Sequence, residues 1–126
     1  MISVGIDCGA KNTKTVVLKD GEIIAKATVL TGFDQEKSVE GSLEKALDAA
    51  GISKGDVGKI FGTGSGKNSV KMADDTVNEI KAMAKGAYFF FPSARTVADV
   101  GAEEGRAAKL DENGNAVDFA INEKCA

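Results

Sequence analysis

The chain has no histidine. That absence removes the Ser-His triad, the histidine general base and every histidine-ligated metal centre. Cysteine is nearly as scarce. Cys8 and Cys125 are the only thiols, too few for a disulfide-stapled secreted domain or for a Cys₄ site within one chain, so any metal–sulfur centre must be shared between chains or completed by residues outside this sequence. Charge of one sign is also lacking: the net charge is −3 with 28% charged residues, and no basic patch offers itself to nucleic acid. No apolar run approaches membrane-spanning length, and the N-terminus reads as a strand rather than as the start of a signal sequence. The expectation is a cytoplasmic protein with no nucleic-acid or membrane partner. With 126 residues, of which 43% are apolar, there is material for one compact domain, or one domain and part of another.

What the chain does contain is a repeat. IDCGAKNTKTVVLKDGEIIAKA, beginning at Ile6, is answered by ADVGAEEGRAAKLDENGNAVDFA, beginning at Ala98. Asp7 corresponds to Asp99, Gly9 to Gly101, Ala10 to Ala102 and Lys14 to Arg106. Each copy runs from an apolar strand into an aspartate, turns at a glycine, and ends in an Asp-Gly or Asn-Gly hairpin followed by another apolar stretch. Glycine lets a ligand approach the backbone without an intervening side chain. The small residues after it let successive amides converge on an anion. An aspartate beside phosphate calls for a bridging Mg²⁺ or an ordered water, and Lys14 and Arg106 add positive charge. Either turn alone would pass for an ordinary hairpin. The recurrence of the same acid and glycine favours a polyphosphate site.

Ser3 to Ile6, Thr13 to Leu18 and Glu22 to Leu30 read as an antiparallel meander. Val39, Leu43, Ala46, Leu47 and Ala50 mark a helix from Gln35 to Ala50, with Gly51 just beyond its end. A short buried strand, Val57 to Thr63, leads into the glycine-rich GTGSGKNS. This is not a P-loop, because Phe61 stands where the first glycine of that motif belongs. Its position after a buried strand gives it about even standing as a site loop or a plain turn. Asp75 or Thr76 caps a helix through Val77, Ile80, Met83, Ala84 and Ala87. The aromatic run Tyr88 to Phe91, closed by Pro92, is expected to be buried. Strands at Thr96 to Val100, Arg106 to Leu110 and Ala116 to Ile121 follow. This last sheet is expected to lack helical cover and to expose edges for self-association.

Five segments carry a resemblance: GIDCGAKNTK from Gly5, TGSGKNS from Thr63, NEIKAMAKGA from Asn78, TVADVGAEEGR from Thr96 and NEKCA from Asn122. They resemble the acetate-kinase, sugar-kinase, heat-shock-chaperone and actin superfamily. Within it they are most similar to the ATPase subunits of benzoyl-CoA reductase and the activators of 2-hydroxyacyl-CoA dehydratases. The resemblance implies an α/β, ribonuclease-H-like fold with a mixed sheet, a β-meander and flanking helices. Residues 1–93 would form a first domain and 94–126 the opening meander of a second, incomplete one.

It also implies a function, namely ATP hydrolysis coupled to low-potential electron transfer from a [4Fe–4S] cluster to a CoA-ester reductase or dehydratase. In the family's pattern Asp7 and Asp99 are catalytic, Asp7 organising Mg²⁺ through water. Gly9, Ala10, Thr13, Lys14, Gly101, Ala102 and Glu103 line the nucleotide phosphates. Cys125 is a cluster ligand, whereas Cys8 is expected to be buried, pointing away from Asp7. The partners implied are a homologous ATPase subunit across the cluster and CoA-ester-reducing subunits, with the second cysteine and the adenosine surface lying after Ala126.

The sequence departs from the family pattern at Ala10, Lys11 and Asn12, at Glu103 and Glu104, and at Met83, where histidine is common. These departures point to a benzoyl-CoA reductase ATPase. The alternatives are a metabolite kinase using Asp99 as base, and a catalytically inert fragment that associates through its hairpin.

Overall fold

A computed structural model describes residues 1–101 and 104–123. By packing, the chain divides into two compact units, Met1–Val77 and Asn78–Ala126.

The first unit opens with the expected meander: β1 (Ile2–Cys8), β2 (Asn12–Lys19) and β3 (Glu22–Leu30). Asp20 and Gly21 both have positive φ in the β2–β3 turn, the backbone that matches strand twist in a two-residue hairpin. β4 (Lys59–Thr63) pairs parallel to β1, and the short β5 (Asp75–Thr76) pairs parallel to β4. The sheet order is β3-β2-β1-β4-β5.

Helix α1 (Gln35–Ala50) covers one face of this sheet. Asp34 caps it by accepting the Lys37 N–H at 3.1 Å, and Gly51 closes it. Its buried Val39, Leu43, Ala46 and Leu47 pack on Val4, Ile6, Cys8, Val17 and Ala27. Between them lies a buried hydroxyl pair, Thr15 with Ser42, at 2.7 Å. The alternation of β1 and β2 therefore fixes the two faces. Val4, Ile6, Cys8, Thr13, Thr15 and Val17 point inward, while Asp7 and Lys14 point outward.

The second unit pairs β6 (Thr96–Val100), β7 (Glu104–Leu110) and β8 (Ala116–Glu123) in a second antiparallel meander. The expectation that this sheet lacks helical cover is corrected by the structure. Helix α2 (Glu79–Phe90) lies on it, with Ile80 and Ala84 packed against Ala108 and Leu110 and flanked by Val97 and Ala116. Periodicity identifies an apolar helix face but not the sheet that receives it, and α2 meets the sheet that follows it in the chain.

The helix is capped by Asn78, which accepts the Lys81 N–H at 2.8 Å, rather than by Asp75 or Thr76. Those two residues pair with β4 instead. Gly114 in the β7–β8 turn has φ +77°, and a Cβ there would meet the Tyr88 ring at 2.5 Å. The Asn-Gly turn thus seats on α2, helped by Lys85 Nζ donating to the Asn113 carbonyl at 3.0 Å. The aromatic run is not buried as a block: Tyr88 is half-buried, while Phe89, Phe90 and Phe91 are exposed. Among the described residues no helix is long and apolar enough to cross a membrane.

Candidate phosphate site

In the first unit the chemistry gathers where β1 and β4 end side by side. Asp7 is the last outward-facing residue of β1. Across the antiparallel pairing it stands opposite Lys14, and across the parallel pairing opposite Thr63. The chain then turns through Gly9, whose N–H donates to the Asn12 carbonyl at 3.0 Å. Ala10 and Lys11 are exposed at the tip.

The glycine-rich segment after β4 closes on this turn. Gly64, at φ +94°, lies so close that a Cβ would strike the Asp7 carboxylate and would sit 2.5 Å from the Cys8 carbonyl. A Cβ on Gly66 would lie 2.6 Å from Cys8 Sγ, and the Gly66 N–H donates to the Cys8 carbonyl at 2.8 Å. Glycine is therefore required at both positions by close approach. The GTGSG segment, given even standing between site loop and plain turn, packs beside Asp7 and Cys8. Nothing local in the sequence marks this, because the pairing of β4 with β1 joins segments far apart in the chain.

One expected ligand faces elsewhere. Thr13 is fully buried, its hydroxyl bonded to Thr31 Oγ1 at 2.6 Å and near Cys8 Sγ at 3.8 Å. It follows Cys8 into the core, as the alternation of β2 requires, so Thr13 does not offer the site its hydroxyl. Cys8 itself is buried, as expected. Thr63 Oγ1, by contrast, is a buried side-chain oxygen without a hydrogen-bond partner.

In the second unit the same cross-strand logic recurs, with Asp99 opposite Arg106. The Gly101 N–H donates to the Glu104 carbonyl at 2.8 Å, repeating the contact of Gly9 with Asn12. Arg106, however, is already engaged, its Nη1 with Glu79 at 2.6 Å and its Nε with Glu104 at 2.7 Å. The bond to Glu104 leads in raising its pKa above the ordinary guanidinium value, with Glu79 and Asp99 adding to it. The positive charge expected to serve a phosphate is thus balanced by carboxylates, and Arg106 ties α2 to β7. Ala102, Glu103 and Cys125 lie outside the described residues.

The model of one family, described as the BadF/BadG/BcrA/BcrD ATPase family, matches residues 4–126. The chain belongs to that family. Among curated relatives of this ATPase family, the activator of lactoyl-CoA dehydratase from Anaerotignum propionicum is 37% identical over 126 residues, covering all of this chain and 49% of the relative. A benzoyl-CoA reductase component from Thauera aromatica is 32% identical over 130 residues, covering 99% of this chain and 46% of the relative. The solved activator of the 2-hydroxyisocaproyl-CoA dehydratase from Clostridium difficile, with bound ADPNP, superposes with a TM-score of 0.87 at 34% identity. It covers all of this chain and 47% of that one. The chain thus spans about half the length of the curated relatives it matches. Its α/β fold is the ribonuclease-H-like one of actin-type ATPases.

The residues of the first unit suit the phosphates of a nucleotide with a hard cation. The site has an exposed carboxylate at a strand end, a lysine opposite it, a glycine-lined wall and an unsatisfied hydroxyl. Among the described residues no cluster of three or more metal-ligating side chains occurs.

Proposed function

We propose that the protein is an ATPase subunit that couples MgATP hydrolysis to low-potential electron transfer from a [4Fe–4S] cluster to a CoA-ester dehydratase or reductase. The observation that carries this reading is the closure of the Gly64–Gly66 wall on Asp7, opposite Lys14. A carboxylate pressed against Gly64, with Gly66 closing on the adjacent Cys8 and Lys14 opposite, suits a metal-bound polyphosphate better than a structural turn, which would need neither the close approach nor the exposed charge. The Mg²⁺ ion supplies charge neutralisation and orientation to the phosphates when bound. Asp7 would hold its water shell, Gly9 would keep the turn free of a side chain, Ala10 would offer a backbone amide, and Lys14 would supply positive charge. In the second unit Asp99 would orient water or metal, and Gly101, Ala102 and Glu103 would serve the phosphates, as the family pattern implies.

Cys125, in NEKCA, is assigned to the cluster by the family pattern, as a thiolate shared with a homologous ATPase subunit. Relatives include both a dehydratase activator and a benzoyl-CoA reductase component. The higher identity to the former favours a dehydratase partner over the benzoyl-CoA reductase that the loop departures had suggested. The protein would act in the cytoplasm beside its CoA-ester-reducing subunits.

The test is anaerobic purification of the protein expressed from its complete reading frame, with iron, acid-labile sulfide and MgATP hydrolysis measured. Asp7→Asn is expected to keep iron and lose hydrolysis, and Cys125→Ser to lose iron and keep nucleotide binding. An iron-free protein that transfers phosphate from ATP to a small-molecule hydroxyl would establish a metabolite kinase instead.

A further inference from the structure

Thr63 ends β4 in parallel register with Asp7, so its side chain leaves the sheet on the same side as the Asp7 carboxylate. Its hydroxyl oxygen is the one buried side-chain polar atom among the described residues that has no hydrogen-bond partner. The other buried hydroxyls are all paired: Thr13 with Thr31, and Thr15 with Ser42. Leaving a buried hydroxyl unsatisfied is unfavourable, and valine, nearly identical in shape, would avoid the cost. The position is also confined. Gly64 follows immediately, packed against Asp7 and Cys8, and Gly62, just before, has Val70 at 3.0 Å from where its Cβ would stand. The backbone is thus held on both sides of Thr63, so the hydroxyl reaches a partner by turning about the Cα–Cβ bond and not by a shift of the chain.

We propose that Thr63 is a positioning residue of the phosphate site, its hydroxyl bonding a water or phosphate oxygen held beside Asp7. This rests on the reading of Asp7 and its neighbours as a nucleotide-phosphate site and adds to it a residue outside the repeated segments that begin at Ile6 and Ala98. The hydroxyl acts as donor and acceptor at once. It can accept from a water whose other hydrogen points to the Asp7 carboxylate, or donate to a phosphate oxygen that the carboxylate itself would repel. Thr63 thereby supplies the donor that Thr13, bonded inside the core, does not. A hydroxyl that is unsatisfied in the free protein and satisfied on binding contributes to affinity without stabilising the empty state.

The test separates those two quantities. ¹⁵N-labelled wild type, Thr63→Val, Thr63→Ser and Thr63→Ala are titrated with MgATP while amide shifts are followed by NMR, a method that reads millimolar affinity, and each variant is melted without nucleotide. Thr63→Val is expected to melt at or above the wild-type temperature yet bind MgATP about fivefold more weakly, with Thr63→Ser within about twofold of wild type. Wild-type affinity in Thr63→Val overturns the inference. So does a lower melting temperature or loss of fold in Thr63→Val and Thr63→Ala alike, since the hydroxyl would then be structural. If the wild type shows no MgATP-dependent shifts at Gly9, Gly64 and Gly66, the phosphate-site reading fails first and the inference with it.

Discussion

Asp7 and Cys8 are neighbours with opposite fates. The period of two in β1 sends the thiol into the core, where it touches the Thr13 hydroxyl, and the carboxylate outward to Lys14 and Gly64. The same alternation in β2 could have shown that Thr13 goes inward with Thr15 and Val17, because Lys14, the outward residue, lies between Thr13 and Thr15. The expectation for Thr13 followed the family motif where the strand period was the better guide. Gly64→Ala is expected to distort the Asp7 turn, because a Cβ there meets both the carboxylate and the Cys8 carbonyl in a left-handed backbone. The measurements are a lowered melting temperature and displaced amide resonances at Cys8 and Gly9.

A pH effect also belongs to single residues. Asp111 accepts the Asn115 and Asn113 N–H groups, each at 2.9 Å. The Asn115 backbone bond leads in holding its pKa below the ordinary carboxylate value. A depressed folded-state pKa means that this stabilisation is present above the unfolded-state value, near 3.9 for an aspartate, and is lost as pH falls through the folded-state value. In an NMR titration the Asp111 carboxyl is expected to protonate below the ordinary aspartate range, the β7–β8 turn amides shifting in parallel. In Asp111→Asn those shifts should vanish from the acid limb.

At the scale of elements, most of the fold was legible in the sequence. Val, Ile and Thr alternation bounded by Asp-Gly and Asn-Gly delivered both meanders, and the apolar period from Val39 to Leu47 delivered α1 to the residue. What local pattern did not reveal was who packs on whom. The stripe Ile80, Met83, Ala84 and Ala87 reads the same whichever sheet it covers, and the aromatic run reads as core although three of its rings are exposed. Leu43 sits 1% exposed against the first sheet, so Leu43→Ala is expected to cost about 2–5 kcal/mol of the first unit's stability, measured by chemical denaturation. Asn78→Ala removes the α2 cap and is expected to cost about 1 kcal/mol in the second unit. Asp75→Ala leaves that cap intact, and a larger loss from Asp75→Ala would return the cap to the residue first expected.

For the molecule as a whole, the repeat is the organising fact. Both copies place an aspartate at a strand end, opposite a basic residue on the next strand, with a glycine directly after the first strand. They differ in how that basic residue is used. Lys14 is exposed, while Arg106 is committed to Glu79 and Glu104. The first unit is therefore the one whose lysine remains available to phosphate, and its glycine wall comes from a segment outside the repeat.

The claim that this wall and the Asp7 turn form a phosphate site is tested most directly by titrating the ¹⁵N-labelled protein with MgATP and mapping amide shifts in wild type and Asp7→Asn. The account predicts the largest shifts at Gly9, Ala10, Gly64 and Gly66, with affinity falling on the order of tenfold or more in Asp7→Asn. Shifts centred elsewhere on the first unit, or shifts at these glycines that Asp7→Asn leaves unchanged, would contradict it.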